Sequence, residues 1–230
     1  QSLLLSLDQI YDYKEERALE INENEDKLDI YEDRLGSYLI QLSQHGVSMK
    51  DIHTVSRLLH SIGDFERISD HAVNLIESAE ELREKNIRLT DAAAEELNSL
   101  TAAVREILNL SLTAFLEDDL KAAGSVEPLE QIIDHLKEWM RSQHILRLQS
   151  GECSVEAGFI LSDLLTNLER TADQCSNIAL LVLGKNNSAI LNNYHNYIAE
   201  LHAGGDQSYL AEHKNRREQY INPLEALLNE

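Results

Sequence analysis

The chain repeats itself. Moved back by 103 residues, Leu161, Leu165, Glu169, Asp173 and Asn177 fall on Leu58, Ile62, Glu66, Asp70 and Asn74, and Arg170 falls on Arg67. Each set is a row of i, i+4 neighbours along one helix. Moved back by 105, Val126, Glu130, Asp134 and Glu138 fall on Ile21, Glu25, Asp29 and Asp33, and Gly151 falls on Gly46. Leu108, Leu110, Ser111 and Leu112 fall on Leu3, Leu5, Ser6 and Leu7 at the same offset. The change of offset needs only a slightly shorter loop in the second copy. A duplication of this period restricts the fold to two copies of one supersecondary unit.

The unit is helical. Ile52, Val55, Leu58, Leu59, Ile62 and Phe65 recur at steps of three and four, and Ile68, Ala72, Leu75, Ile76 and Ala79 continue the stripe. With 2 prolines and 9 glycines in 230 residues, the chain lacks the turns that a β-sandwich or a doubly wound sheet needs. Breaks fall at Gly46, followed by a Ser48-x-x-Asp51 capping box, at Lys85–Leu89, at Gly124–Pro128, at Gln149–Ser154, at Gly184–Ser188 and near Gly204. Helices are thus predicted over about 1–44, 49–84, 90–123, 127–148, 154–183 and 188–230. The break at Gly124–Pro128 maps onto Leu19–Glu23 and predicts a helix boundary there. Long helices with short connections form antiparallel bundles. The predicted fold is all-α: two pseudo-repeated antiparallel three-helix bundles over 1–86 and 87–187, with a C-terminal helical extension over 188–230. The first helix of the first bundle starts partway. Together with a first residue that is Gln1 and not Met, this leads us to expect a longer protein from which the preceding part is left out.

Asp and Glu number 41 against 20 Lys and Arg, a formal charge of −21. A surface of that sign disfavours nucleic acid and anionic membranes, and favours cations or basic partners. No run of 18 apolar residues is present to span a bilayer. Cys153 and Cys175 form no CxxC, and their number excludes a disulfide scaffold.

A single acidic i, i+4 pair carries little information, since about seven arise by chance at this composition and most are solvated helix faces. The same ordered Glu-x-x-x-Asp at Glu66/Asp70 and Glu169/Asp173, continuing the same apolar row, carries more. The row drifts by only about 40° per step, so these carboxylates belong at the edge of a helix–helix contact. In an antiparallel pair Glu25/Asp29 faces Glu66/Asp70, and Glu130/Asp134 faces Glu169/Asp173. Carboxylates so crowded must protonate or bind a cation. All-oxygen ligation favours Mg²⁺, Ca²⁺, Mn²⁺ or Fe³⁺. The alternative is a set of carboxylates paired with arginines, though Arg67 and Arg170 point about 100° away from the glutamates they follow.

The segment Ile62-Gly63-Asp64-Phe65-Glu66-Arg67-Ile68-Ser69-Asp70-His71-Ala72-Val73-Asn74 resembles the signature of PhoU, the phosphate-uptake regulator. Leu168-Glu169-Arg170-Thr171-Ala172-Asp173-Gln174-Cys175-Ser176-Asn177 resembles its second copy. The resemblance covers about 1–187. It implies that Glu66/Asp70 and Glu169/Asp173 are the family's E(D)xxxD motif, that Glu25/Asp29 and Glu130/Asp134 are the acidic motifs of the preceding helices, and that these carboxylates bind metal, with iron or zinc as the metal. The second copy has Gln174 where His71 stands and Asn167 where Asp64 stands, which predicts a poorer or empty metal site. The extension, with Asn193–Leu201 and Tyr209–Tyr220, resembles the C-terminal cytoplasmic part of bacterial Na⁺/phosphate cotransporter proteins. That resemblance implies a regulatory domain on the cytoplasmic side of the membrane, modulating a sodium-dependent phosphate transporter on the same chain. The second reading is a free-standing PhoU-type adaptor of a phosphate ABC transporter and a sensor kinase.

Neither reading is an enzyme. No histidine has Glu three residues before it, which argues against the Glu-x-x-His di-iron bundle. Neither a nucleophile elbow nor a Walker loop occurs. His71 is expected to pack or to face solvent, and His53 and His60, seven apart, to sit at a helix contact. Trp139 and Met140 are expected in the core. Leu3, Leu4, Leu5 and Leu7 either pack on the bundle or continue toward the membrane domain or a homodimer partner.

Overall fold

The computed structural model describes residues 1–44, 49–185, 187, 190 and 193–227. Gly46 and the Ser48 capping box lie outside the described residues. The elements are α1 (Ser2–Gln9), α2 (Glu15–Ser43), α3 (Met49–Glu84), α4 (Asp91–Glu117), α5 (Leu120–Gly124), α6 (Val126–Ser150), α7 (Val155–Leu183), α8 (Tyr194–His202), α9 (Gln207–Tyr220) and α10 (Asn222–Leu227). No strand occurs among the described residues, so the all-α expectation holds. The chain divides into two compact units, Gln1–Arg83 and Glu84–Glu230.

Capping side chains set several helix starts. The Thr90 hydroxyl accepts from the Ala93 N–H at 3.2 Å, and the Ser154 hydroxyl from the Ala157 N–H at 3.1 Å. The Asp206 carboxylate accepts from the Ser208 N–H at 2.7 Å and the Tyr209 N–H at 3.3 Å. Each satisfies a donor that the first helical turn leaves orphaned. Gly151, at φ 76°, closes α6 in the left-handed conformation that a side chain disfavours.

Two expected boundaries are corrected. The helix predicted over 90–123 ends at Glu117, because Asp118 turns left-handed at φ 58° and the Asp119 carboxylate then caps α5 through the Lys121 and Ala122 N–H groups. Aspartate visits this region at low cost. The boundary expected at Leu19–Glu23 is absent: α2 starts at Glu15 and runs through it. Pro128, which has no N–H, sits in the first turn of α6, where a proline is tolerated. Its counterpart Glu23 keeps the N–H and lets the helix continue.

In the second unit α4, α6 and α7 pack around Leu97, Leu100, Val104, Ile107, Leu129, Ile133, Leu136, Met140, Leu164 and Leu168, all fully buried. Met140 is thus core as expected. In the first unit Leu3 and Leu7 are buried with Ile21, Leu75 and Ile76, so α1 packs on its own bundle. The duplication reaches atomic detail here. Ser6 and Ser111 are both fully buried, and each hydroxyl donates to the carbonyl three residues before it, Leu3 at 2.8 Å and Leu108 at 3.3 Å. α1 has 8 residues where α4 has 27. In the far halves of α2 and α3, Tyr31, Leu35, Tyr38, Ile52 and Leu58 are exposed. His53 and His60 are exposed as well, which corrects their placement at a helix contact. His71 is buried.

The C-terminal helices belong to the second unit. α9 packs on α6 and touches α4. The Ser99 hydroxyl donates to the Tyr220 carbonyl at 2.8 Å, and Glu106 accepts from Arg216 and from the Tyr220 hydroxyl. His202 on α8 meets the buried Glu127 of α6 at 2.8 Å, and the Ser176 hydroxyl donates to the same carboxylate at 2.5 Å.

Candidate functional site

In the first unit α2 and α3 run in opposite directions. Tyr13 donates to Glu80 at 3.0 Å, and farther along Glu25 and Asp29 meet Asp70. One carboxylate oxygen from each of Glu25, Asp29 and Asp70 lies within 4.8 Å of the other two. Glu66 stands outside this triad and joins it through a hydrogen bond with Asp70. A hydrogen bond between two carboxyl groups requires a proton on one of them. Burial first, and then the charges of Asp70, Asp29 and Glu32, push Glu66 up to about 7. Burial, then Asp29 and Asp70, raise Glu25 as well. The charges acting most strongly on these two glutamates are all negative. Arg67 does not relieve them, because it reaches Asp64 at 3.6 Å instead.

The second unit brings Glu130, Asp134, Glu169 and Asp173 together in the same register. Glu130 and Asp173 share a hydrogen bond, and Asp134 lies beside Glu169. These pairs match Glu25 with Asp70 and Asp29 with Glu66. The surroundings differ. Glu130 is only 9% exposed, and burial, followed by the charges of Glu127 and Asp173, pushes it up to about 8. Asp173 is pushed up to about 6 by burial, Glu169 and Asp134, against the hydrogen bond from Glu130 and the charge of Lys137. Asp134 is raised by burial and by Glu169. Glu169 does not stand open: the Lys137 ammonium sits 2.9 Å from it. The expected alternative to a metal, a carboxylate paired with a base, holds for this residue, with lysine in place of arginine.

Three residues of this region are absent from the rows read in the sequence: Glu32, Lys137 and Glu127. Lys137 is three residues after Asp134, and Glu127 three before Glu130. Helix neighbours at i±3 share a face as i±4 neighbours do, and following one spacing alone passes over them.

The chain matches the family model described as PhoU domain over residues 1–79 and 97–182, one match per repeat. A curated relative, the phosphate-specific transport system accessory protein PhoU homolog 1 of Thermotoga maritima, is 22% identical over 191 residues, covering 81% of this chain and 82% of the relative. Crystal structures of PhoU from Pseudomonas aeruginosa and of the phosphate transport system regulatory protein PhoU from Streptococcus pneumoniae share the fold. The first has a TM-score of 0.73 at 20% identity, covering 80% of this chain and 88% of that one. The second has a TM-score of 0.67 at 18% identity, covering 81% and 87%.

These findings correct the expected role as the regulatory part of a sodium-dependent phosphate transporter with its membrane domain on the same chain. The relatives are PhoU proteins matched along more than four fifths of their own length, which leaves no space in them for a transporter. No described helix is long and apolar enough to cross a membrane. With both repeats matched, the chain belongs to the PhoU domain family.

Proposed function

We propose that the chain is a non-catalytic PhoU-type adaptor that regulates a phosphate ABC transporter and a sensor kinase through protein contacts, and that the acidic crossing of its first repeat holds a metal ion. The observation that carries the regulatory reading is a PhoU domain spanning both repeats, in a chain whose curated relative is an accessory protein of phosphate-specific transport. The surface charge of −21 suits basic partner faces.

The donors of the first repeat fit a metal. Oxygens around one hard cation lie about 2.0–2.6 Å from it, and so no more than about 5 Å from each other. Glu25, Asp29 and Asp70 already satisfy that limit within 4.8 Å, and Glu66 is placed to complete or orient the set. All-oxygen ligation suits Mn²⁺, Mg²⁺, Ca²⁺ or Fe³⁺ better than Zn²⁺. When bound, the ion supplies positive charge that fixes the α2–α3 crossing.

The regulatory reading is tested by deleting the gene in its own host and measuring phosphate uptake in phosphate-replete cells. Co-purification with the ATPase subunit of the phosphate transporter is tested beside it. The expected result is altered uptake that a plasmid copy restores, and capture of the ATPase. Unchanged uptake with no capture would refute the reading.

A further inference from the structure

The two acidic crossings match rung by rung, and they part at the third rung. Glu25 with Asp70 corresponds to Glu130 with Asp173, and Asp29 with Glu66 corresponds to Asp134 with Glu169. One helical turn farther, the first repeat has Glu32, whose charge adds to the load on Glu66. At the same place, 105 residues on, the second repeat has Lys137. Its ammonium lies 2.9 Å from Glu169, with the two side chains 15% and 18% exposed. This pair is too sheltered to be a solvent-screened surface bridge. The same ammonium acts on Asp134 and on Asp173, so one lysine serves three of the four carboxylates. A metal ion among them would sit against a fixed positive charge and would have to compete for Glu169.

We infer that Lys137 is the second repeat's own cation, doing for its carboxylates what an ion does in the first repeat, and that the second repeat binds no metal. The contrast rests on the metal reading of the first repeat. The placement of Lys137 does not.

The test loads chelator-stripped full-length protein with Mn²⁺, removes the excess, and measures bound manganese by elemental mass spectrometry and the shift in Tm. Five proteins are compared with the wild type: Lys137→Gln, Lys137→Glu, Glu32→Lys, Glu66→Ala/Asp70→Ala and Glu169→Ala/Asp173→Ala. Circular dichroism verifies each fold. The inference expects the Glu169→Ala/Asp173→Ala variant to keep the wild-type manganese. It expects Glu32→Lys to lose it, and Lys137→Gln or Lys137→Glu to raise bound manganese about twofold with a larger Tm shift. Folded Lys137 variants with no gain would overturn it. So would a loss of about half the manganese in the Glu169→Ala/Asp173→Ala variant, a comparison that stands even where a Lys137 variant does not fold. Manganese absent from the wild type but present in the Lys137 variants would refute the first-repeat reading and support the role of Lys137.

Discussion

Replacing Glu130 by glutamine stabilises the second unit at neutral pH and leaves it nearly unchanged at pH 5. Below its ordinary value of 4.5 the Glu130 carboxyl is protonated in both the folded and the unfolded chain. As pH rises, the unfolded chain gives up the proton, while the folded chain keeps it until about pH 8. The unfolded state then binds fewer protons than the folded state, so stability falls across this window. At pH 7.5 the penalty spans three pH units at about 1.36 kcal/mol each, roughly 4 kcal/mol in all. Glutamine carries no such penalty. Its carbonyl accepts from Gln131 as Glu130 does at 3.3 Å, and its amide donates to Asp173 in place of the carboxyl proton. One further amide N–H is left to find a partner, at a cost of about 1 kcal/mol. The net gain is about 3 kcal/mol at pH 7.5 and about zero at pH 5. Urea titrations of metal-free protein, followed by circular dichroism at both pH values, measure it. Equal differences at the two pH values, or a variant less stable than wild type at pH 7.5, would refute the reasoning.

Two further perturbations act on the frame around the site. Arg147 grips Glu96 through two hydrogen bonds of 2.7 Å, tying α6 to α4, and Glu96 is buried. Arg147→Ala strands that carboxylate and is expected to cost about 3–5 kcal/mol; a urea midpoint equal to wild type would contradict the burial argument. His202→Ala removes one of the two partners of buried Glu127. It is expected to cost about 1–3 kcal/mol and to speed protease cleavage around α8; unchanged cleavage would show that the contact does not hold α8.

The fold was legible because the apolar period and the duplication point the same way. The offsets of 103 and 105 even paired the helices correctly, since Glu25 meets Asp70 as Glu130 meets Asp173. Local backbone chemistry was less legible. The apolar pattern runs on through Asp118, and only the ease with which aspartate turns left-handed and then caps a new helix ends α4 there. Pro128 suggested a break in both copies, but a proline acts only in the copy that has it. At the site, the residue types were readable and their burial was not. Glu130 and Glu25 occupy matching places, yet Glu130 alone is nearly fully buried. The Glu32-to-Lys137 exchange was visible in the sequence, and becomes meaningful only once α7 places Glu169 against that lysine.

The metal at the first crossing is the claim on which the site's chemistry depends. The most direct measurement is the metal content of protein purified without an affinity-tag metal, by elemental mass spectrometry, beside the Glu66→Ala/Asp70→Ala variant. We expect iron or manganese in stoichiometric amount in the wild type and none in the folded variant. Equal metal in the two proteins, or none in either, would contradict the account and leave the carboxylates as surface charge for a partner.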